Sequence, residues 1–173
     1  SAASRIDHTV RGLLDFARPA SVELGPVSIQ AALDAALQLA RVQPRFREIE
    51  VSTRVHDDLP RAVGRDRELC QVFLNLLLNA ADAMDGRGRI DVDAAATDAA
   101  IEVTMVDTGP GIASGDLPRV FDPFFSTKAP GAGSGLGLAI VHSIVESFGA
   151  TIDAGNSTGG GAAFRLRLRR AAP

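Results

Sequence analysis

The chain has 173 residues, a formal net charge of −3 and one cysteine, Cys70. This length allows one well-cored domain with an appendage, and the weak charge gives no strong attraction to nucleic acid. A lone cysteine excludes an intrachain disulfide, and no apolar run approaches the roughly 20 residues of a membrane span. The start lacks an initiator Met and an apolar signal region. We interpret the sequence as a fragment and expect a cytoplasmic location without membrane contact of its own, even if the full-length protein is membrane-anchored.

Residues 4–17 predict a helix with a narrow apolar seam, which is typical of a coiled-coil-like partner helix. Pro19 stops this helix, and an extended linker follows over 19–28. Ser28 is the predicted N-cap of a second helix, over 29–43, which ends at a proline.

Alternating residues at 49–55 predict a strand, with a short second strand over 59–63. A largely apolar helix then starts at a predicted N-cap, Asp66, and ends before a turn at 86–88. Strands over 90–96 and 101–106 form a predicted hairpin around Thr97 and Asp98.

The stretch 107–135 has hardly any regular pattern, and loops of this length are usually functional or mobile. A helix over 136–148 follows, with Gly149 as its C′ residue. Strands over 150–155 and 162–169 complete the chain. This order predicts an α/β two-layer sandwich, in which helices cover one face of a mixed sheet.

Three polar side chains interrupt the apolar helix that follows Asp66. Asn75, Asn79 and Asp82 are spaced four and three residues apart, so they line one strip of the helix. The strip is either the exposed edge of an ordinary amphipathic helix or a surface that faces a polar ligand, such as a metal–phosphate group. The helix alone leaves both interpretations open.

The hexapeptide 107–112 directly follows an apolar strand and begins with Asp107. Gly109 and Gly111 let the backbone approach a flat ligand, while the carboxylate accepts a hydrogen bond from an exocyclic amine, as in adenine. A plain Asp-Gly turn is the alternative.

Two further motifs lie in the irregular stretch. The segment 121–128 has three phenylalanines and ends in Thr127 and Lys128, which suits a flap anchored to the core beside a phosphate; a surface loop with a minor hydrophobic cluster is the alternative. The segment 133–138 brings glycines to a helix N-terminus, where backbone N–H groups bind anions. It matches neither a Rossmann fingerprint nor a P-loop.

In this order, the four motifs resemble the N box, first glycine box, F box and second glycine box of the catalytic ATP-binding domain of bacterial sensor histidine kinases. The resemblance covers about residues 20–170. It implies the Bergerat-type α/β fold that is shared with gyrase, Hsp90 chaperones and MutL proteins, with ATP and Mg²⁺ as cofactors. The implied domains are a dimerisation-helix remnant over 1–18, a linker over 19–28 and the ATP-binding domain over 29–170.

The resemblance also implies roles for single residues. Asn79 corresponds to the magnesium ligand, Asn75 lies one turn earlier in the same site, and Asp107 corresponds to the adenine-binding carboxylate. The other residues that the resemblance places at ATP are Asp82, Gly109, Gly111, Ile112, Phe124, Thr127, Lys128, Gly133, Ser134, Gly135, Leu136, Gly137 and Leu138.

One position departs from the family pattern. Asp82 stands where many of these kinases carry a lysine toward the phosphates, and Lys128 is a candidate for the replacing cation. We therefore count Lys128 with Asn75 and Asn79 as catalytic. The ending Asp-Ala-Met and the short lid at 129–132 are similar to the nitrogen-regulatory branch of the family.

The residue at 75 favours a kinase over an ATPase. Related ATPases place a glutamate there as general base, whereas an amide cannot accept a proton. The phosphoacceptor histidine is missing, because His8, His56 and His142 lack the family context and residues 4–18 resemble the second helix of the dimerisation hairpin. The implied partners are this hairpin, a response regulator and a second copy in the full-length homodimer. A non-catalytic regulatory module and an anti-sigma-type serine kinase are the alternatives.

Overall fold

The computed structural model describes residues 23–128 and 134–172. The predicted helix over 4–17, the first four residues of the linker over 19–28, the lid at 129–132 and Gly133 lie outside this part of the chain. The described helices are α1 (Ile29–Arg41), α2 (Asp66–Ala83) and α3 (Gly137–Ser147), with short 3₁₀ turns at Pro44–Phe46 and Leu117–Arg119. The strands are β1 (Gly25–Val27), β2 (Glu48–Val55), β3 (Ala62–Gly64), β4 (Arg87–Ala96), β5 (Ala100–Asp107), β6 (Thr151–Asn156) and β7 (Ala162–Arg169).

The main sheet has five strands in the order β2-β4-β5-β7-β6. The edge strand β2 runs parallel to β4, and the other neighbours are antiparallel. Strands β1 and β3 form a separate antiparallel pair. The predicted mixed sheet is therefore confirmed, as is the predicted hairpin of β4 and β5.

The helices cover one face of this sheet. Alternation along β7 buries Phe164, Leu166 and Leu168, while Arg165 and Arg167 are exposed on the other face. Most buried residues of the sheet form one hydrophobic cluster with buried residues from all three helices. This is the predicted two-layer arrangement. Among the described residues, no helix combines the length and the apolar character that a membrane span needs.

Local chemistry explains where α1 begins and where α3 ends. The hydroxyl of Ser28 accepts a hydrogen bond from the Ala31 N–H at 3.2 Å, which confirms the predicted N-cap of α1. Gly149 follows α3 with φ +65°, the left-handed geometry expected of a C′ glycine. Cys70 is partly buried on α2, and this burial raises the pKa of its thiol.

Three predicted boundaries are wrong. Asp66 is the first residue of α2 instead of its N-cap; Arg65 takes the N-cap position with extended backbone and no capping side chain. The acidic side chain of Asp66 still suits the positive end of the helix dipole. After α2 the chain turns at Asp85 and Gly86, with φ of 53° and 78°, so β4 already begins at Arg87, inside the predicted turn. The short strand near 59–63 is shifted to Ala62–Gly64.

We expect Leu77→Ala to lower the free energy of unfolding by about 3 kcal/mol, because the side chain is lost from a close-packed core. Leu77 lies on α2 and is 0% exposed, whereas Leu39 on α1 is 50% exposed. Leu39→Ala is the matched control and should cost less than about 1 kcal/mol. Urea denaturation measures both, and equal losses would contradict the assigned core.

Candidate functional site

The polar strip of α2 lies beside the start of α3. Asn75, Asn79 and Asp82 are partly buried, whereas Leu76 and Leu77 on the adjoining face of α2 are buried in the core. The Asn75 amide donates to the Gly137 carbonyl at 3.4 Å, which joins α2 to the first residue of α3. The Asn79 side chain makes no hydrogen bond with another described residue. Its amide oxygen is therefore available to a cation.

Asp107 ends β5 and is the buried charged residue of the described chain, with 3% of its surface exposed. Its Oδ1 accepts hydrogen bonds from the backbone N–H groups of Gly109 at 2.8 Å and Ala162 at 3.1 Å. No hydrogen bond from a described residue ends on Oδ2. One carboxylate oxygen thus fixes the side chain, and the other can accept from a ligand.

Three glycines leave room around this carboxylate and the loop after it. A Cβ at Gly109 would lie 2.9 Å from Asp107 Oδ1, and one at Gly161 would clash with the Asp107 carbonyl oxygen. A Cβ at Gly111, where φ is +79°, would lie 2.7 Å from Asn156 Oδ1. Side chains at these positions would displace the carboxylate or its loop.

Sequence reasoning missed Asn156 and Gly161. The Asn156 amide bridges Ile112: Oδ1 accepts from the Ile112 N–H at 2.7 Å, and Nδ2 donates to the Ile112 carbonyl at 2.8 Å. This clamp holds the end of the first glycine motif against β6. The sequence signal was weak, because the glycine run at 159–161 looks like an ordinary connection between two strands.

The three phenylalanines of the F-box segment have different surroundings. Phe121 lies against the core, with its ring centroid 5.2 Å from that of His142 and 6.4 Å from that of Phe164. The guanidinium carbon of Arg119 lies over the Phe125 ring, 4.8 Å from its centroid. Phe124 is 64% exposed. Phe121 therefore provides the predicted anchor, and Phe124 does not contribute to it.

Phe124 instead joins the F box to the second glycine box through the backbone. Its N–H donates to the Gly135 carbonyl at 2.9 Å, and both residues have positive φ, 65° and 66°. A Cβ at Gly135 would lie 2.5 Å from the Phe124 carbonyl carbon, so this contact requires glycine. The Ser134 hydroxyl accepts from the Leu136 N–H at 3.3 Å, just before α3 begins, and Leu136 and Leu138 pack inward.

Asp82 carries two cationic partners. Arg45 Nη1 lies 2.8 Å from both carboxylate oxygens, and Lys128 Nζ lies 2.7 Å from Oδ2. Arg45, which sequence reasoning missed, comes from the turn before β2. A cavity of about 470 Å³ opens beside this cluster and is lined by Arg45, Arg47 and Asp82, among others. Thr127 is exposed next to Lys128.

These contacts bring the four predicted motifs together. The N-box helix meets the second glycine box through Asn75, the F box through Asp82, and the first glycine box where Gly109 approaches Met84. The described residues contain no group of three or more His, Cys, Asp or Glu side chains placed to hold a metal. The available amide oxygens can ligate Mg²⁺ that is bound largely through phosphates, and helix N–H groups can bind the phosphates themselves.

Known proteins are similar to most of this chain. Residues 64–172 match the family described as "Histidine kinase-, DNA gyrase B-, and HSP90-like ATPase". Sensor histidine kinase ZraS of Escherichia coli O157:H7 is 39% identical over 166 residues, which are 96% of this chain and 36% of ZraS. Two-component sensor PprA of Pseudomonas aeruginosa is 38% identical over 176 residues, which are 98% of this chain and 19% of PprA.

Solved structures give the same result. Full-length ShkA in complex with AMPPNP superimposes with a TM-score of 0.78 at 32% identity, over 96% of this chain and 36% of ShkA. The mycobacterial sensor histidine kinase MprB gives a TM-score of 0.72 at 30% identity, over 86% of this chain and 99% of the MprB chain. This chain spans about a third of ZraS and less of PprA. It belongs to the family of histidine kinase-, gyrase B- and Hsp90-like ATPases and is homologous to the ATP-binding catalytic domains of sensor histidine kinases.

Proposed function

We propose that this chain binds ATP with Mg²⁺ and transfers the γ-phosphate to a histidine on the dimerisation domain of its full-length protein, a two-component sensor kinase. The ATP-binding domain extends over 29–170 in this proposal. The observation that carries it is the buried Asp107 carboxylate, which is fixed through one oxygen beside two glycines. The likeness to ShkA, a kinase whose structure was solved in complex with AMPPNP, supports nucleotide binding by this chain.

Asp107 is the proposed adenine-recognition residue. Its Oδ2 would accept from the exocyclic amine, while Gly109, Gly111 and Ile112 form a wall that the flat base can approach. The two backbone N–H groups on Oδ1 keep the side chain oriented. The Asn156 bridge to Ile112 keeps the wall in place.

The phosphates would lie between the polar strip of α2 and the start of α3. Asn79 is the proposed Mg²⁺ ligand, and Asn75 already contacts α3 from the same strip. Bound Mg²⁺ would neutralise phosphate charge and align the γ-phosphate for transfer. The N–H groups near the start of α3 would stabilise the same charge. The residues proposed to contact or border the phosphates are Phe124, Thr127, Lys128, Ser134, Gly135, Leu136, Gly137 and Leu138, with Gly133.

Transfer to a protein acceptor follows from the chemistry of residue 75. An asparagine cannot take a proton from water at neutral pH, so hydrolysis lacks a general base at this position. Neither described histidine has the sequence context of the family's phosphoacceptor: His56 follows β2, and His142 lies on α3, against Phe121 and 3.3 Å from Glu146. The acceptor histidine, a response regulator and a second copy of the chain are therefore the proposed partners, in a protein of the nitrogen-regulatory type.

We expect Asp107→Asn to weaken nucleotide binding roughly tenfold or more, because a hydrogen bond to a charged group is lost and an amide N–H would face the adenine amine. The amide oxygen can still accept from Gly109 and Ala162, so the fold should persist. Titration with a fluorescent ATP analogue measures the affinity. Asp98→Asn, at the opposite end of the β4–β5 hairpin, is the matched control and should bind as the parent chain does. Unchanged affinity in Asp107→Asn would contradict the assigned pocket.

With labelled ATP and Mg²⁺, this chain should form no phosphohistidine by itself and should label an intact dimerisation hairpin that is added in trans. The label should be acid-labile and alkali-stable, as phosphohistidine is. Acid-labile label on His8 would contradict the inference that this chain lacks the phosphoacceptor histidine. ATP binding without any transfer to the added hairpin would instead indicate a regulatory module.

A further inference from the structure

We propose that Asp82 and Arg45 are positioning residues, which hold the ammonium group of Lys128 toward the phosphate chain of the bound nucleotide. This inference rests on the proposed nucleotide site and assigns a role to a carboxylate that stands where a cation is expected. Arg45 lies outside all four sequence motifs.

The position of Asp82 brings Lys128 to the polar strip. Asp82 lies three residues after Asn79, so the two side chains are neighbours on one face of α2. The Asp82 carboxylate holds Lys128 Nζ at 2.7 Å, and 31% of the Lys128 side chain is exposed. A lysine on a loop has a long flexible side chain, and ordering it costs free energy. The ion pair with Asp82 orders it before nucleotide arrives.

Arg45 makes this arrangement compatible with an anionic ligand. A bare carboxylate beside a triphosphate would repel it. Here both oxygens of Asp82 accept from Arg45 at 2.8 Å, and Oδ2 also accepts from Lys128. Two cations therefore surround one anion, and the cluster has a net charge of about +1. With both oxygens already engaged by cations, Asp82 is also a poor ligand for Mg²⁺.

The remaining donors of Lys128 fit a phosphate. An ammonium group has three donors, and Asp82 uses one of them. Within the described residues, no other side chain takes a hydrogen bond from Nζ. The opposite hypothesis is that Asp82 competes with phosphate for Lys128. The two hypotheses predict opposite effects of replacing Asp82. Removing an anchor for Lys128 weakens phosphate binding, whereas removing a competitor strengthens it.

The test measures affinities of the full chain for ATP and AMP, by competition against a fluorescent nucleotide with Mg²⁺ present. The affinity for ATP divided by the affinity for AMP isolates binding by the β- and γ-phosphates. We expect Lys128→Met and Asp82→Asn each to lower this ratio about threefold to tenfold, as for partly exposed charge contacts. Affinity for AMP should stay within about twofold, which also shows that the variants are folded.

A double-mutant cycle separates positioning from simple charge effects. Asp82→Asn should lower the ratio when Lys128 is present and should not lower it further in a Lys128→Met background. A ratio that is unchanged or higher in Asp82→Asn alone would overturn the proposal, as would an equal loss in the Lys128→Met background.

Arg45 is tested by two variants, one that removes its charge and one that keeps it. Arg45→Met should lower the ratio, because Asp82 is then neutralised by Lys128 alone, and Arg45→Lys should restore most of it. The matched control is Arg54→Met, which removes an arginine of a different ion pair, with Asp93 on the outer part of the sheet. An equal effect of Arg54→Met would overturn a specific role for Arg45. If the parent chain binds neither nucleotide, the proposed function fails; if it binds both and these ratios do not change, only the present inference fails.

Discussion

Burial of α2 against the sheet and the two other helices is the constraint on which the rest of the structure depends. Leu69, Phe73 and Leu77 on its buried face are 0% exposed, so the helix cannot rotate about its axis without exposing them. This fixed rotation turns Asn75, Asn79 and Asp82 toward the loops that hold the other motifs. The polar strip therefore has a defined direction because the opposite face is apolar.

Burial of one face of an element also explains which parts of the fold could be predicted from the sequence. Burial of one face decides the form of four elements: the strands β5 and β7, which alternate, and the helices α2 and α3, which have helical spacing. Their predicted bounds agree with the observed ones within a few residues. The four motifs were recognisable because each combines residues that are unusual in their local setting, such as amides within a leucine-rich helix. Neighbouring positions of the site were thus predicted from local patterns.

Contacts between distant segments could not be predicted in this way. Arg45 and Asp82 are 37 positions apart, and nothing in the local sequence around Arg45 marks it as a partner. Asn156 and Ile112 are 44 positions apart and meet because β6 and the first glycine loop lie at the same end of the sheet. The start of α2 differs by one residue from the prediction, because an acidic residue suits both the N-cap and the first turn of a helix.

The pairing of β2 with β4 has a consequence for folding. These strands are parallel, so the chain between them must cross over, and α2 lies within that connection. Pairing of the edge strand with β4 therefore requires closure of this long connection, which has an entropic cost that docking of α2 on the sheet offsets. Assembly of the amide-bearing helix and completion of the sheet edge thus belong to one cooperative unit, and a chain with a frayed edge strand would also have a loosened helix.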